Sequence, residues 1–167
     1  MTPAHPTAAA DTNFCVDLHC GTLLDCLAFL EMPIVLLDVI EDEITKQDVS
    51  DFHHSGMIPD SATPEEVIEF MELRRKYPAP STPDLITLTV CRKRGWVLLT
   101  GDGPLRKAAQ KEQVPCRGIL WFLDQLEIRQ VPPQRLYDSL QEILRQGAYL
   151  PESECQSRLK KWGPDGC

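Results

Sequence analysis

The chain has 167 residues, with 17 Lys and Arg against 25 Asp and Glu and a formal net charge of −8. That balance argues against broad electrostatic binding of nucleic acid, which takes a basic surface. Apolar and charged contents of 43% and 25% are those of an ordinary globular domain, and no apolar run approaches the ~20 residues that cross a bilayer.

Residues 1–12 are rich in Ala, Pro and Thr and lack the basic start and apolar core of a signal peptide, so they read as a disordered lead. Residues 13–16 predict a short strand ending at Asp17. Residues 20–30 predict a helix, with Leu23, Leu24, Leu27 and Leu30 at helical spacing. Residues 33–37 predict a second buried strand. Asp38 can cap a helix over 39–46 that carries Glu41, Asp42 and Glu43. Residues 47–62 read as irregular, with a short strand near Met57 and Ile58. Thr63-Pro64-Glu65-Glu66 is a strong helix start. Ser81-Thr82-Pro83-Asp84 opens another helix, which Gly95 stops. A strand over 96–100, a helix over 104–112 and a short strand over 114–117 follow. Helices over 119–126, 133–146 and 152–162 complete the chain.

Strands alternating with helices predict a three-layer α/β/α domain with a mostly parallel sheet of four to five strands. The predicted domain spans 13–130, after the lead at 1–12 and before a packed helical extension at 131–167. Seven cysteines (Cys15, Cys20, Cys26, Cys91, Cys116, Cys155 and Cys167) form no CxxC pair. Their odd number and their place in apolar runs point to a reducing, cytoplasmic setting rather than a disulfide framework or a zinc site.

Four acids can be argued to the carboxyl edge of this sheet, where α/β proteins build their sites. Asp17 and Asp102 each end a predicted strand. Asp84 lies in the first turn of a helix that feeds back into the sheet. Glu43 falls in a helix, about 7 Å below the edge at 1.5 Å per residue. Carboxylates that share a pocket raise one another's pKa, and a divalent cation relieves the repulsion. Mg²⁺ and Mn²⁺ take oxygen ligands and suit phosphodiester hydrolysis. Each acid taken singly also has a structural reading. Asp102-Gly103 is a turn pair, Asp84 and Asp17 are capping residues, and Glu43 is a solvated helix residue.

In order along the chain, four segments resemble the PIN-domain family of metal-dependent nucleases. They are Val16-Asp17, then Val39-Ile40-Glu41-Asp42-Glu43, then Ser81-Thr82-Pro83-Asp84, then Val97-Leu98-Leu99-Thr100-Gly101-Asp102 with Leu105-Arg106-Lys107. Cys116-Arg117-Gly118-Ile119-Leu120-Trp121 is similar to a segment after the last strand of some bacterial members. The resemblance covers residues 13–127 and implies an acidic quartet of Asp17, Glu43, Asp84 and Asp102 as catalytic and metal residues. Thr100, His19 and Arg106 are auxiliary candidates. It further implies Mg²⁺- or Mn²⁺-dependent cleavage of RNA by an endoribonuclease, a toxin's role in a toxin–antitoxin pair with an antitoxin protein as partner, and a homodimer. His19 departs from the family, which often has a small polar residue two positions after the first Asp.

Two alternatives stand beside this one. A PIN-fold interaction module with little nuclease activity fits the same fold. A phosphatase of the haloacid dehalogenase type shares Thr-Gly-Asp but needs Asp-x-Asp after the first strand, where Asp17-Leu18-His19 stands.

Overall fold

The computed structural model describes residues 6–166. Five strands, β1 (Ala8–Ala10), β2 (Ile34–Leu37), β3 (Ile58–Asp60), β4 (Val97–Leu99) and β5 (Cys116–Arg117), pair in parallel in the order β3-β2-β1-β4-β5. Ala9 lies opposite Val35 on one side and Leu98 on the other. β1 is therefore central, although it is made of alanine, which has little intrinsic strand preference. Pairing on both edges and burial on both faces hold it, all three side chains being fully buried.

The strand expected at 13–16 is instead the start of helix α1 (Thr12–Cys20). Phe14, Cys15 and Leu18 form its buried face, a helical spacing that four residues are too few to distinguish from a strand. Asp11 caps this helix by accepting from the Phe14 N–H at 2.7 Å. Residues 8–11 of the expected disordered lead are thus the central strand and a helix cap, and residues 1–5 lie outside the described residues.

The helix expected over 20–30 is divided. α1 stops at Gly21, Thr22 takes a positive φ of 52°, and Leu24–Leu30 winds as a 3-10 helix. The helix expected over 39–46 is one turn, α2 (Asp38–Glu41), because α3 (Lys46–His54) starts afresh where the Thr45 hydroxyl accepts from the Asp48 N–H. α3 occupies the first half of the segment expected to be irregular.

α4 (Pro64–Lys76), α5 (Thr82–Arg94), α6 (Gly103–Lys111), α7 (Ile119–Ile128), α8 (Pro133–Arg145) and α9 (Glu152–Trp162) fall within a few residues of expectation. α5 packs on β1 and β4, with α4 and α6 against it, while α1, α7 and α8 group together. Leu136, Leu140 and Ile143 of the last segment are buried in the single core, Leu144 packs against it, and Trp162 docks α9. Among the described residues no single helix is long and apolar enough to cross a membrane. The six described cysteines are free, and Cys167 lies outside the described residues.

Arg94 ties four segments together. Its guanidinium donates to both carboxylate oxygens of buried Glu66 at 2.7 and 2.9 Å, to Asp60 at 2.9 Å and to the Ser61 carbonyl at 2.9 Å. It also stacks 4.8 Å from the Trp96 ring. The Arg92-Lys93-Arg94 run is thereby absorbed into structure, with Arg92 on Glu112 and Lys93 on Glu69.

Phe14 and Phe122 meet edge to face at 6.0 Å, and both are fully buried. Phe122→Ala is expected to cost about 3–5 kcal/mol by urea denaturation. Tyr149→Ala, at a side chain 99% exposed, is expected to leave the midpoint unchanged.

Candidate functional site

The chain leaves β1 for β2 and β3 on one side and later returns to β4 and β5 on the other. The carboxyl ends of β1 and β4 therefore flank the point where strand order reverses, the usual crevice of an open α/β sheet. Asp11 follows β1 directly and is fully buried. Its Oδ1 accepts from the Phe14 N–H, and its Oδ2 accepts from the Thr100 hydroxyl. The Thr100 oxygen accepts in turn from the Asp102 N–H at 3.0 Å. Asp102 caps α6, its Oδ2 accepting from the Leu105 N–H at 2.9 Å.

Asp84 lies in the first turn of α5, where Ser81 Oγ accepts from its N–H at 3.2 Å. The loop before it is pinned by Arg74, which donates to the Pro80, Pro78 and Tyr77 carbonyls at 2.7, 3.2 and 3.4 Å. Glu43 sits in the turn after α2 rather than inside a helix, and its Oε2 accepts from the Thr12 hydroxyl. Thr12 follows Asp11, so this contact brings Glu43 to the same edge.

The electrostatics join these acids. Burial pushes the Asp11 carboxyl up to about 8; the Thr100 and Phe14 hydrogen bonds oppose this, and Asp84 and Asp102 add to it. Burial pushes Asp84 up to about 6, opposed by Ser81 and the Thr12 N–H and reinforced by Glu43 and Asp102. Asp17 is also pushed up to about 6, by burial alone.

The structure thus brings Glu43, Asp84, Asp102 and Thr100 together at one edge, with Asp11 as the acid of the first strand. Asp17 is not at a strand end: it lies along α1, six residues beyond Asp11. It borders the edge from behind Gly101, where a Cβ would collide with Asn13 Oδ1 and lie 3.7 Å from Asp17 Oδ2. His19 is exposed, 3.9 Å from Asp48, and Arg106 lies on the exposed side of α6. His53, of the adjacent His pair, meets Glu41 at 2.6 Å in the last turn of α3. Sequence reasoning missed Asp11 and Asn13. The signal was available as a helix cap, Asp11-Thr12-Asn13 before apolar Phe14. Asn13 stands two positions after Asp11, as His19 does after Asp17.

Among the described residues, no three His, Cys, Asp or Glu side chains are grouped so as to hold an ion. The donor set suits a hard cation in kind, because every acid at the edge offers carboxylate oxygen. Asp84 Oδ1 is buried and has no hydrogen-bond partner, the orphaned acceptor a cation would satisfy. Mg²⁺ asks for one or two carboxylates and otherwise keeps its waters, so a set of three is not required.

No protein-family profile and no curated protein sequence matches the chain. Among solved structures it is similar to a chain of VapBC2 from Rickettsia felis, in a crystal structure bound to a DNA fragment from their promoter. The TM-score is 0.53 at 14% identity, over 67% of this chain and 98% of that one. At that identity the likeness is one of fold: a three-layer, PIN-like α/β/α domain around a five-stranded parallel sheet.

Proposed function

We propose that the chain is a Mg²⁺- or Mn²⁺-dependent endoribonuclease whose site is Asp11, Glu43, Asp84 and Asp102. The observation that carries this reading is the gathering, at the switch point of the sheet, of buried Asp11 with half-buried Asp84 and Asp102, whose charges raise the Asp11 carboxyl, with Asp84 Oδ1 unpartnered. Asp84 and Asp102 would hold the cation, with Glu43 and Asp11 beside them. A bound cation supplies a more acidic water and neutralises charge on a phosphate oxygen.

The chain's own residues fix the acids for that task. The Thr100 hydroxyl and Phe14 N–H orient Asp11, and the Leu105 N–H fixes one oxygen of Asp102 and leaves Oδ1 for other partners. The Thr12 hydroxyl does the same for Glu43 through Oε2. The resemblance to PIN nucleases, with the VapBC2 likeness of fold, supports a toxin's role with an antitoxin protein as partner and a homodimeric state. The interaction-module reading draws on the lack of a ready three-residue ion site among the described residues. The phosphatase reading gains nothing, since Asp11-Thr12-Asn13 also lacks Asp-x-Asp.

RNA cleavage in Mn²⁺ against EDTA tests the proposal. Wild type is expected to cleave only with Mn²⁺, and Asp11→Asn, Asp84→Asn and Asp102→Asn are each expected to abolish cleavage while remaining folded. Asp17→Asn is expected to retain it. Unchanged cleavage by folded Asp102→Asn would refute the assignment, and no Mn²⁺ binding by calorimetry would favour the interaction module.

The raised carboxyls also set a pH dependence. Above their ordinary 3.8, the folded chain keeps protons that the unfolded chain has released. This stabilising contribution is complete below that value and is lost as pH rises through about 6 for Asp84 and Asp17 and about 8 for Asp11. In EDTA, stability should therefore fall between pH 5 and pH 8, by up to ~1.4 kcal/mol per pH unit for each proton of difference. Urea melts at several pH values should show a shallower fall for Asp11→Asn. Mn²⁺ at pH 8 should raise the melting temperature of wild type, because it favours the charged carboxylates.

A further inference from the structure

Two cavities flank α6, and both adjoin the segment that carries Asp102, the first through Gly101 and the second through Pro104. The first, of about 400 Å³, is lined by Gly101, Arg106, Arg117, Gly118, Trp121 and Arg158 among others. Arg158 is committed to Asp124 at 2.6 and 2.8 Å, whereas Arg106 and Arg117 form no ion pair among the described residues. The second cavity, of about 270 Å³, is lined by Lys76, Tyr77, Pro80, Pro104, Lys107 and Lys111 among others. Lys107 and Lys111 likewise form no ion pair among the described residues, and Lys76 stands 3.5 Å from Glu112. The Tyr77 hydroxyl donates to Glu112 at 2.7 Å, and Arg74 pins the loop carbonyls from Tyr77 to Pro80, so this wall is fixed.

Each cavity thus joins two cations that form no ion pair among the described residues to one partly buried aromatic ring, Trp121 in the first and Tyr77 in the second; Arg117 also donates to the Cys116 carbonyl at 3.0 Å. Cations that track phosphates, with rings on which bases stack, are the chemistry of single-stranded nucleic-acid grooves. In a chain with a net charge of −8, these cations are local concentrations of positive charge on either side of α6, although Asp124, paired with Arg158, and Glu154 also line the first cavity. An acidic peptide would use the cations but not the rings. We propose that a single RNA strand crosses the carboxyl edge along α6, held by Arg106, Arg117 and Trp121 on one side of the acids and by Lys107, Lys111 and Tyr77 on the other. A strand held on both sides places an internal phosphate, not a chain end, at the acids. This path rests on the nuclease reading above.

The test is fluorescence anisotropy with a labelled single-stranded RNA of about 12 nucleotides, in EDTA so that binding is read without cleavage. Arg106→Gln/Arg117→Gln and Lys107→Gln/Lys111→Gln are each expected to weaken binding. Each double variant removes two phosphate-binding cations, so each should also reduce the slope of log affinity against log salt by about 1.4. Trp121→Ala and Tyr77→Ala are each expected to weaken binding with the salt slope unchanged, because each removes a ring and no charge. The path is overturned if either cation pair binds as wild type with an unchanged slope, or if oligoglutamate displaces the RNA as well as unlabelled RNA does. Circular dichroism checks folding, and the single variants Arg106→Gln and Lys107→Gln replace any double variant that fails it. If both pairs bind as wild type while Asp102→Asn abolishes Mn²⁺-dependent cleavage, the path falls and the nuclease reading stands. If wild type neither binds nor cleaves RNA, both fall.

Discussion

One buried hydroxyl holds the site together. Thr100 donates to Asp11 and accepts from the Asp102 backbone, so it joins the end of β1 to the cap of α6. Take away that oxygen and Asp11 keeps one hydrogen bond, from the Phe14 N–H, in a fully buried position. A buried carboxylate without partners is costly enough to stay protonated or to move. The register of β1 against β4 is what puts Thr100 within reach, because Ala10 pairs with Leu99 and the next residue on each strand faces the other. The geometry of the edge thus depends on strand pairing as much as on the acids.

The remainder of the fold steadies this edge from a distance. Arg94 fastens α5 at its far end to Glu66 and Asp60, and Arg74 fastens the loop at its near end. Helix α5 carries Asp84 and packs on β1 and β4. The repulsion among gathered acids is opposed by rigid packing, since α5 is buried through seven consecutive positions from Leu85 to Cys91.

Much of this was legible in the residues, for identifiable reasons. Ser81 and Asp102 announce helix starts by their capping chemistry, and the strand before Asp102 is bounded by Gly95 and Gly101. Asp84 and Asp102 could therefore be placed at one edge from topology alone. Asp11 was hidden because its strand is three alanines, which carry no hydrophobic alternation and no strand preference. The first convincing apolar group, Phe14 to Val16, belongs to the helix that follows, and it points six residues too far, to Asp17. Glu43 reaches the edge by a route other than the expected helix: a break after α2 leaves it in a turn, where the Thr12 hydroxyl finds it. The bridging role of Thr100 depends on strand order, which local sequence does not encode.

The central place of β1 has a consequence in time. Its partner β2 follows closely, but β4 comes much later, and Asp11 meets Thr100 across a separation of 89 residues. During synthesis the first acid emerges from the ribosome long before the strand that orients it. Until β4 inserts beside β1, the carboxylates are scattered along a chain with no shared edge. Such non-local closure is among the slower events of folding. On the nuclease reading, the acids share no edge until the chain has been made past Asp102 and β4 has paired with β1, so strand order delays the assembly of the site.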